Sequence, residues 1–433
     1  MSERSREAPP LRADGGLVVV IGAGVAGLSA AYHLSRAGCR ALVLEARDRL
    51  GGRILTDHAG ASTVELGAEF VHGSPRATFE LLDAAGVRAE AFHGDHWLRK
   101  NGRLVSMPDS SGLHQLMALA QAEPTDRSAE SFLEEVSATP ELQEPAAWMR
   151  NLLMGFDAAD PARASLKSLV SSWSGDAGTE SEQWHPVGGY RQLVDYMAQR
   201  LDPALVEVLT GTPVTAVRWS RTGATVFTDG EAIEARAVVV TVPLSVLQLA
   251  PGQSSAIRFD PPLVAKAPAL ATLAMGPVHR VMLRFAAPVW DEQLGGPVPA
   301  GTFFHAPGQP FATFWTSEHK SPWLVAWCGG PPAARLGAGD DAGIVEAAAS
   351  SARALFPDAP VEEARFHNWQ RDPFSLGGYS YVLVGGTNAR AELARPLDGV
   401  LFFAGEATEA GGEAATVAGA IMSGERAARQ VLE

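Results

Sequence analysis

Gly22, Gly24 and Gly27 stand in the order G-x-G-x-x-G directly after the apolar run Leu17 to Ile21, and Glu45 closes the next apolar run. That spacing suits one kind of ligand. The first glycine permits a tight turn, the second lets a pyrophosphate approach the backbone, and the third lets a helix pack closely on a sheet. The helix that follows, with Ala26 in its first turn, offers free N–H groups and a positive dipole end to the phosphates. Glu45 puts a carboxylate where it can accept hydrogen bonds from both ribose hydroxyls, and where it would repel the 2′-phosphate of NADP. A second glycine turn, Gly51-Gly52, runs into Arg53. The chemistry implied is that of a bound dinucleotide, and so of oxidation and reduction.

The elements that must position these residues read as strand, turn, helix and strand between 17 and 53. Beyond them, 60–73 reads as an extended segment and a turn. From Pro75 to about Gly189 the pattern turns helical, with helices expected near 77–85, 113–122, 131–136, 146–156 and 165–173. The segment 108–112, PDSSG, separates two of them. A further helix is expected over 190–201. Strand patterns return in VEVLTGTPVTAVRWS, ATVFTDG and ARAVVVTVP, the last a continuous apolar run of the kind that forms a buried parallel strand. Aromatic and β-branched runs at 278–286, 301–305, 311–316 and 323–328 predict an antiparallel sheet. Helices follow at 344–355 and 415–431, the second after the strand and glycine turn of LDGVLFFAGEAT. The order predicts an α/β protein in which a discontinuous Rossmann-type domain (15–74, 190–258 and 366–433) is interleaved with an α+β substrate domain (75–189 and 259–365) holding a mixed or antiparallel sheet. Residues 1–14 read as a disordered tail.

At 433 residues the chain is long enough for two substantial cores. Its 49 acids against 35 bases give a net charge of −14, which argues against a nucleic-acid partner. Two cysteines, Cys39 and Cys328, indicate a reducing compartment without a disulfide framework. No apolar run reaches membrane-spanning length and the opening segment has no apolar core, so a cytoplasmic protein is expected. No metal is expected.

Six blocks, taken in order, resemble the flavin-dependent amine oxidases, a group that includes monoamine oxidases, polyamine oxidases and histone-lysine demethylases. They are GAGVAGLSAA, LEARDRLGGR, LGAEFVHGSP, TVPLSVL, WQRDPFSLGGYSYV and FFAGEATEAGGEAATVAGAIMSG. The resemblance implies FAD. It places Gly52, Arg47 and Arg53 at the adenine and pyrophosphate, and Val214 as a backbone contact to adenine. Ala68, Glu69 and Phe70 would be among the cofactor contacts, and Trp369 would lie at the flavin edge. Gly405 and Glu406 would meet the ribityl or pyrophosphate region. Thr416 and Val417 would open a helix whose N–H groups face the N1–C2=O edge of the flavin, stabilising its anionic reduced form.

The same resemblance implies hydride transfer from the α-carbon of a primary or secondary amine to flavin N5, with O2 as acceptor and hydrogen peroxide as product. Tyr379 would align the substrate nitrogen. Thr416 stands where monoamine oxidases carry a second tyrosine, a pattern nearer to polyamine oxidases. Gly378 stands where monoamine oxidases link flavin through cysteine, so FAD is expected to be noncovalent. His72 would accept a hydrogen bond from a substrate amine, and Glu69 would meet a distal ammonium. One position departs from the family: Arg280 replaces the usual water-holding lysine. Arginine stays charged and cannot act as a base, which leaves oxygen reactivity and the polyamine substrate open. His279, beside it on a strand, should face the other way. The alternatives are a flavin desaturase or protoporphyrinogen-type oxidase, an L-amino acid oxidase using Arg280 for the carboxylate, and a non-catalytic FAD-binding protein. The long helical insertion of the demethylases is not visible, so a histone substrate is not expected.

Overall fold

The computed structural model describes residues 16–60, 62–107, 111–174 and 182–433. The expected tail at 1–14 and part of the 108–112 separator lie outside these residues. Five strands form one parallel sheet in the order Val206–Leu209, Ala41–Leu44, Val18–Ile21, Ala237–Val240, Leu401–Phe403. The two central strands, VVVI and AVVV, are buried throughout, as continuous apolar runs must be when both faces of a sheet are covered. One face packs on the helices Val25–Arg36 and Val417–Leu432. These helices approach so closely that a Cβ on Gly424 would lie 2.2 Å from the Ala26 carbonyl oxygen. The other face carries the antiparallel strands Val214–Ser220, Gly223–Thr228 and Ala232–Ala235. The expected strands near 17, 206, 237 and 401 thus meet in one sheet, although nearly four hundred residues of chain separate the first from the last.

A second sheet has seven strands, ordered Glu363–Phe366, Val278–Arg284, Trp323–Gly329, Thr313–Thr316, Phe303–His305, His96–Lys100, Arg103–Ser106. It is mixed, because Phe303–His305 runs parallel to His96–Lys100 while the other pairings are antiparallel. One face packs under the helix Asp341–Leu355, and the other presents Met282, Trp315 and Val325 to a smaller core with Val64, Leu66 and Phe92. Helices Ser111–Gln121, Ala129–Val136, Gln143–Gly155 and Leu166–Trp173 form a separate bundle.

The reading of 75–189 as helical needs correction: it also holds the strands Ala89–Ala91, His96–Lys100, Arg103–Ser106 and Gln183–Pro186. The hairpin turns on Asn101 and Gly102, both with positive φ, and Asn-Gly is the strongest short hairpin signal. The flanking HWLRK and RLVS, at the edge of the sheet, are too polar to announce themselves by hydrophobic alternation.

Candidate active site

A cavity of about 690 Å³ runs between the two sheets, and every residue proposed from the sequence for the cofactor or the substrate lines it except Gly27. Gly27 sits behind it. A Cβ there would fall 1.9 Å from the Gly22 carbonyl oxygen, so its role is the close helix–strand packing that the motif requires.

At one end, Gly22 and Gly24 join Val18–Ile21 to the helix Val25–Arg36. Gly24 is the N-cap and supplies no side-chain acceptor, and the first turn holds no acid. The orphan N–H groups and the positive helix end are therefore open to an anion. Gly52 faces Gly24 so closely that a Cβ on it would lie 3.0 Å from the Gly24 Cα. Glu45 is buried, with Oε2 accepting from Ala23 N–H (2.7 Å) and Oε1 from Arg47 N–H (2.9 Å). The second helix, Val417–Leu432, also opens on the cavity. Its N-cap Thr416 accepts from Gly419 N–H (3.0 Å) and donates to the Glu413 carbonyl (2.7 Å). The Thr416 hydroxyl is thus engaged in capping, and what this residue offers the cavity is the helix end.

The arginines are held in networks. Arg47 donates to Asp372 Oδ1 (2.6 Å) and Ser375 Oγ (2.8 Å). Arg53 bridges the Gly378 carbonyl (2.6 Å) and Glu406 Oε1 (2.9 Å). Glu406 also accepts from Ser380 Oγ (2.6 Å) and faces Arg390 at 3.9 Å. Burial works against its charge, but Arg53 and Arg390 hold its carboxyl below the usual range. Gly405 precedes it with φ +121°, a conformation closed to most side chains. Trp369 donates its indole N–H to the Leu66 carbonyl (2.7 Å), and Val214 begins its strand at the cavity wall. Two glycine turns, two open helix ends and a ribose-reaching acid fit a dinucleotide along this wall.

At the other end the walls are aromatic: Phe70, Trp148, Phe156, Phe303, Trp315 and Trp327. Tyr379 donates its hydroxyl to the Phe156 carbonyl (2.5 Å), and burial, with the carboxylates of Asp157 and Glu406, raises its pKa well above the usual phenol value. The phenol is no base. His72 lies against Phe70 and Phe156; burial lowers its pKa to about 4 against the opposing effect of a hydrogen bond with Gln183, and among the described residues its Nδ1 has no partner. The imidazole is neutral at ordinary pH.

Arg280 and Glu69 form a buried pair at 2.8 Å. Arg280 also donates Nε–H to the Glu65 carbonyl and lies over the Trp315 ring; Glu69 accepts from the Trp315 indole N–H (2.8 Å). Burial opposes the charge on Glu69, but Arg280 and Trp315 hold its carboxyl below the usual range. Each charge satisfies the other. Glu69 therefore does not present a free negative charge to a distal ammonium, nor Arg280 a free positive charge to a carboxylate. The adjacent His279 points away, as strand alternation requires, to the Ala333 carbonyl (3.0 Å).

Sequence reasoning passed over Asp157, Arg390, Asp372 and the hydrogen-bonded pair His96 and His305 (2.9 Å). Only Asp372 lay within a quoted block, WQRDPF. The others come from segments whose spacing carries no signal and reach the site through tertiary packing.

A Gly-rich strand–turn–helix, an acid at the end of the next strand and a cavity that continues from them to aromatic walls define a dinucleotide-dependent oxidoreductase. Residues 25–432 match the model of the flavin containing amine oxidoreductase family, and the chain belongs to that family. Its cofactor is FAD, and it acts on amines. It is similar to polyamine oxidase 4 of Oryza sativa subsp. japonica, 30% identical over 468 residues, covering 98% of this chain and 89% of the relative. It is 29% identical over 449 residues to lysine-specific histone demethylase 2 of Homo sapiens, covering 96% of this chain but 53% of that protein. A putrescine oxidase solved with putrescine bound matches it with a TM-score of 0.80 at 22% identity, covering 96% of this chain and 99% of the other. Cyclohexylamine oxidase from Brevibacterium oxydans IH-35A matches with a TM-score of 0.78 at 21% identity, covering 96% and 98%. At these identities the structural likeness concerns the fold. Among the described residues no helix is long and apolar enough to cross a membrane.

Proposed function

We propose that the enzyme oxidises the carbon–nitrogen bond of a primary or secondary amine, with polyamines among its substrates. Hydride leaves the α-carbon, and the resulting imine is hydrolysed to a carbonyl compound and a shorter amine or ammonia. Bound FAD would supply the two-electron acceptor at N5, and its reoxidation by O2 would release hydrogen peroxide. The observation that carries this reading is a neutral imidazole with a free nitrogen beside a fixed phenol, in an aromatic pocket that continues from the dinucleotide wall.

An amine gives up hydride only when its nitrogen is unprotonated. His72, held neutral, can accept an N–H hydrogen bond through Nδ1 without stabilising an ammonium ion. Tyr379, tied to Phe156, provides a fixed ring against which the nitrogen is aligned. The aromatic walls exclude water from the reacting carbon. Along the other wall, Glu45 would hold the ribose, while Gly22, Gly24, Gly52 and the first helix end hold the pyrophosphate. Arg53 and Glu406 would meet the ribityl region, and the helix begun by Thr416 and Val417 the flavin edge. The closed pair of Arg280 with Glu69 speaks against carboxylate recognition, and so against amino-acid substrates. Among the described residues no cysteine lines the cavity, which supports noncovalent FAD. Cys39 and Cys328 are free thiols, in keeping with a cytoplasmic setting.

The test is anaerobic titration of the yellow holoenzyme with monoamines, diamines, polyamines and L-amino acids. Amines should bleach the oxidised flavin band, and admitting air should restore it with peroxide release. If FAD stays bound and no amine bleaches it, the reading fails; reduction by L-amino acids alone would replace it with the amino-acid alternative.

A further inference from the structure

The backbone around Tyr379 is gripped on both sides. Arg53 donates to the carbonyl of Gly378, the residue before it (2.6 Å). Arg390 donates to Ser380, the residue after it, at both Oγ (2.7 Å) and the carbonyl (2.9 Å). The two arginines meet on Glu406. Arg53 reaches Oε1 (2.9 Å), Ser380 Oγ donates to Oε2 (2.6 Å), and Arg390 donates to the Glu406 carbonyl (3.3 Å). One residue thus joins two cations and, between them, the short stretch of chain that carries the phenol. The two grips have different origins in the sequence. Arg53 ends the second glycine turn, whereas Arg390 belongs to the short helix Ala389–Ala394. Burial works against the charge of Arg390, and Glu406, Glu409 and Asp157 support it. Its guanidinium fork spans a hydroxyl and two carbonyls from fixed directions, where an ammonium would offer a single point.

We propose that Arg390 is a positioning residue for amine oxidation: it ties the peptide of Tyr379 to Glu406 and so holds the phenol ring in register with the cofactor. The inference rests on the amine-oxidase reading above, with Glu406 at the ribityl region. The Tyr379 side chain has one hydrogen bond, from its hydroxyl to the Phe156 carbonyl. That bond fixes the tip of the ring and leaves its base to the backbone, which is where the arginines act. A displacement of about 1 Å in a group that aligns the reacting atoms can cost about 100-fold in rate. Arg390 therefore acts on the amine through Ser380 and Tyr379, and on the cofactor through Glu406.

The experiment uses holoenzyme carrying Arg390→Lys, which keeps a cation beside Glu406 and loses the fork. The probe is whichever of butan-1-amine, butane-1,4-diamine and spermidine bleaches the wild-type flavin fastest. Its limiting anaerobic reduction rate should fall about tenfold. Amine binding, read from perturbation of the flavin spectrum, should change by less than about threefold. In a Tyr379→Leu background the same substitution should slow reduction no further, because it acts through the tyrosine. A wild-type rate in Arg390→Lys, or additive losses in the double variant, overturns the proposal. A second readout needs no turnover. FAD titrated into apoprotein carrying Arg390→Ala should bind about tenfold more weakly, the effect of losing a charge-assisted hydrogen-bond network, and millimolar guanidinium ion should restore the affinity. Wild-type affinity in Arg390→Ala, or a loss that guanidinium leaves in place in a variant of native circular dichroism, also overturns it. If no amine reduces the wild-type flavin, the oxidase reading fails by itself, while the FAD titration still decides whether Arg390 braces the cofactor end.

Discussion

At the cofactor end of the cavity the buried charges come in satisfied sets: Glu45 with backbone N–H groups, Arg47 with Asp372, Arg53 with Glu406 and Arg390. At the aromatic end the polar groups are neutral or nearly alone: His72 with a free Nδ1, Tyr379 with one carbonyl, Asp157 with one indole. The buried pair of Arg280 with Glu69 adjoins this second region as a closed unit. The difference follows from the ligands. A dinucleotide is recognised by backbone, helix ends and fixed charges, which a short stretch of chain can supply. A small amine must be met by a few side chains left free to bind it, and a folded protein leaves buried polar atoms free only where something else will satisfy them.

The sharpest way to break the cofactor end is Gly27→Val, which forces a side chain into the Gly22 carbonyl oxygen. It should cost more than about 3 kcal/mol and abolish FAD retention, read as the flavin-to-protein absorbance ratio after gel filtration. A full complement of FAD would show that the close packing is not required. Next in size is Arg280→Met, which strands a buried Glu69. Loss of one partner should cost about 3–5 kcal/mol in denaturant unfolding, and adding Glu69→Gln should recover much of it. Additive losses in the double variant would show that the pair is not a closed unit.

A third prediction concerns pH. The pKa of His72 is about 4 in the folded protein against an ordinary 6.5. The unfolded chain therefore binds the proton more readily. The contribution of neutral His72 to stability is fully present above about pH 6.5 and is lost as pH falls towards 4, by at most about 3 kcal/mol. Burial raises Glu65 to about 7 from 4.5, so its contribution has the opposite sign and declines as pH rises through that window. The difference between wild type and His72→Gln isolates the histidine: it should shrink as pH falls from 7 to 4.5. A difference independent of pH would mean that the imidazole is not held neutral. The smallest effect expected is from Asp372→Asn, which weakens the hold on Arg47. It should loosen FAD by about 1–2 kcal/mol in a dilution assay of flavin release, with amine binding untouched; changed amine binding would break the separation of the two ends.

These contrasts also explain what could be read in advance. Gly22, Gly24, Gly27 and Glu45 form a site within one strand–turn–helix–strand unit, so their spacing along the chain is their spacing in the fold. The strands Val18–Ile21 and Ala237–Val240 were legible because burial on both faces demands continuous apolar runs. The hairpin of His96–Lys100 and Arg103–Ser106 was missed because polar edge strands lack that pattern, although Asn101-Gly102 marked its turn. The expectation that Glu69 would meet an ammonium followed from its place in LGAEFVHGSP, and nothing local to that block revealed that Arg280 already neutralises it.

What the sequence alone determined is thus the cofactor: a local backbone geometry, dictated by glycines, helix starts and one acid, together with the order of six blocks along the chain. What only the tertiary structure decided is the state of the side chains that line the aromatic end of the cavity. The neutrality of His72, the closed pair of Arg280 with Glu69 and the single tether on Asp157 each depend on burial and on partners from distant segments. Desolvation and Coulombic pairing act through space, and no spacing along the chain encodes them.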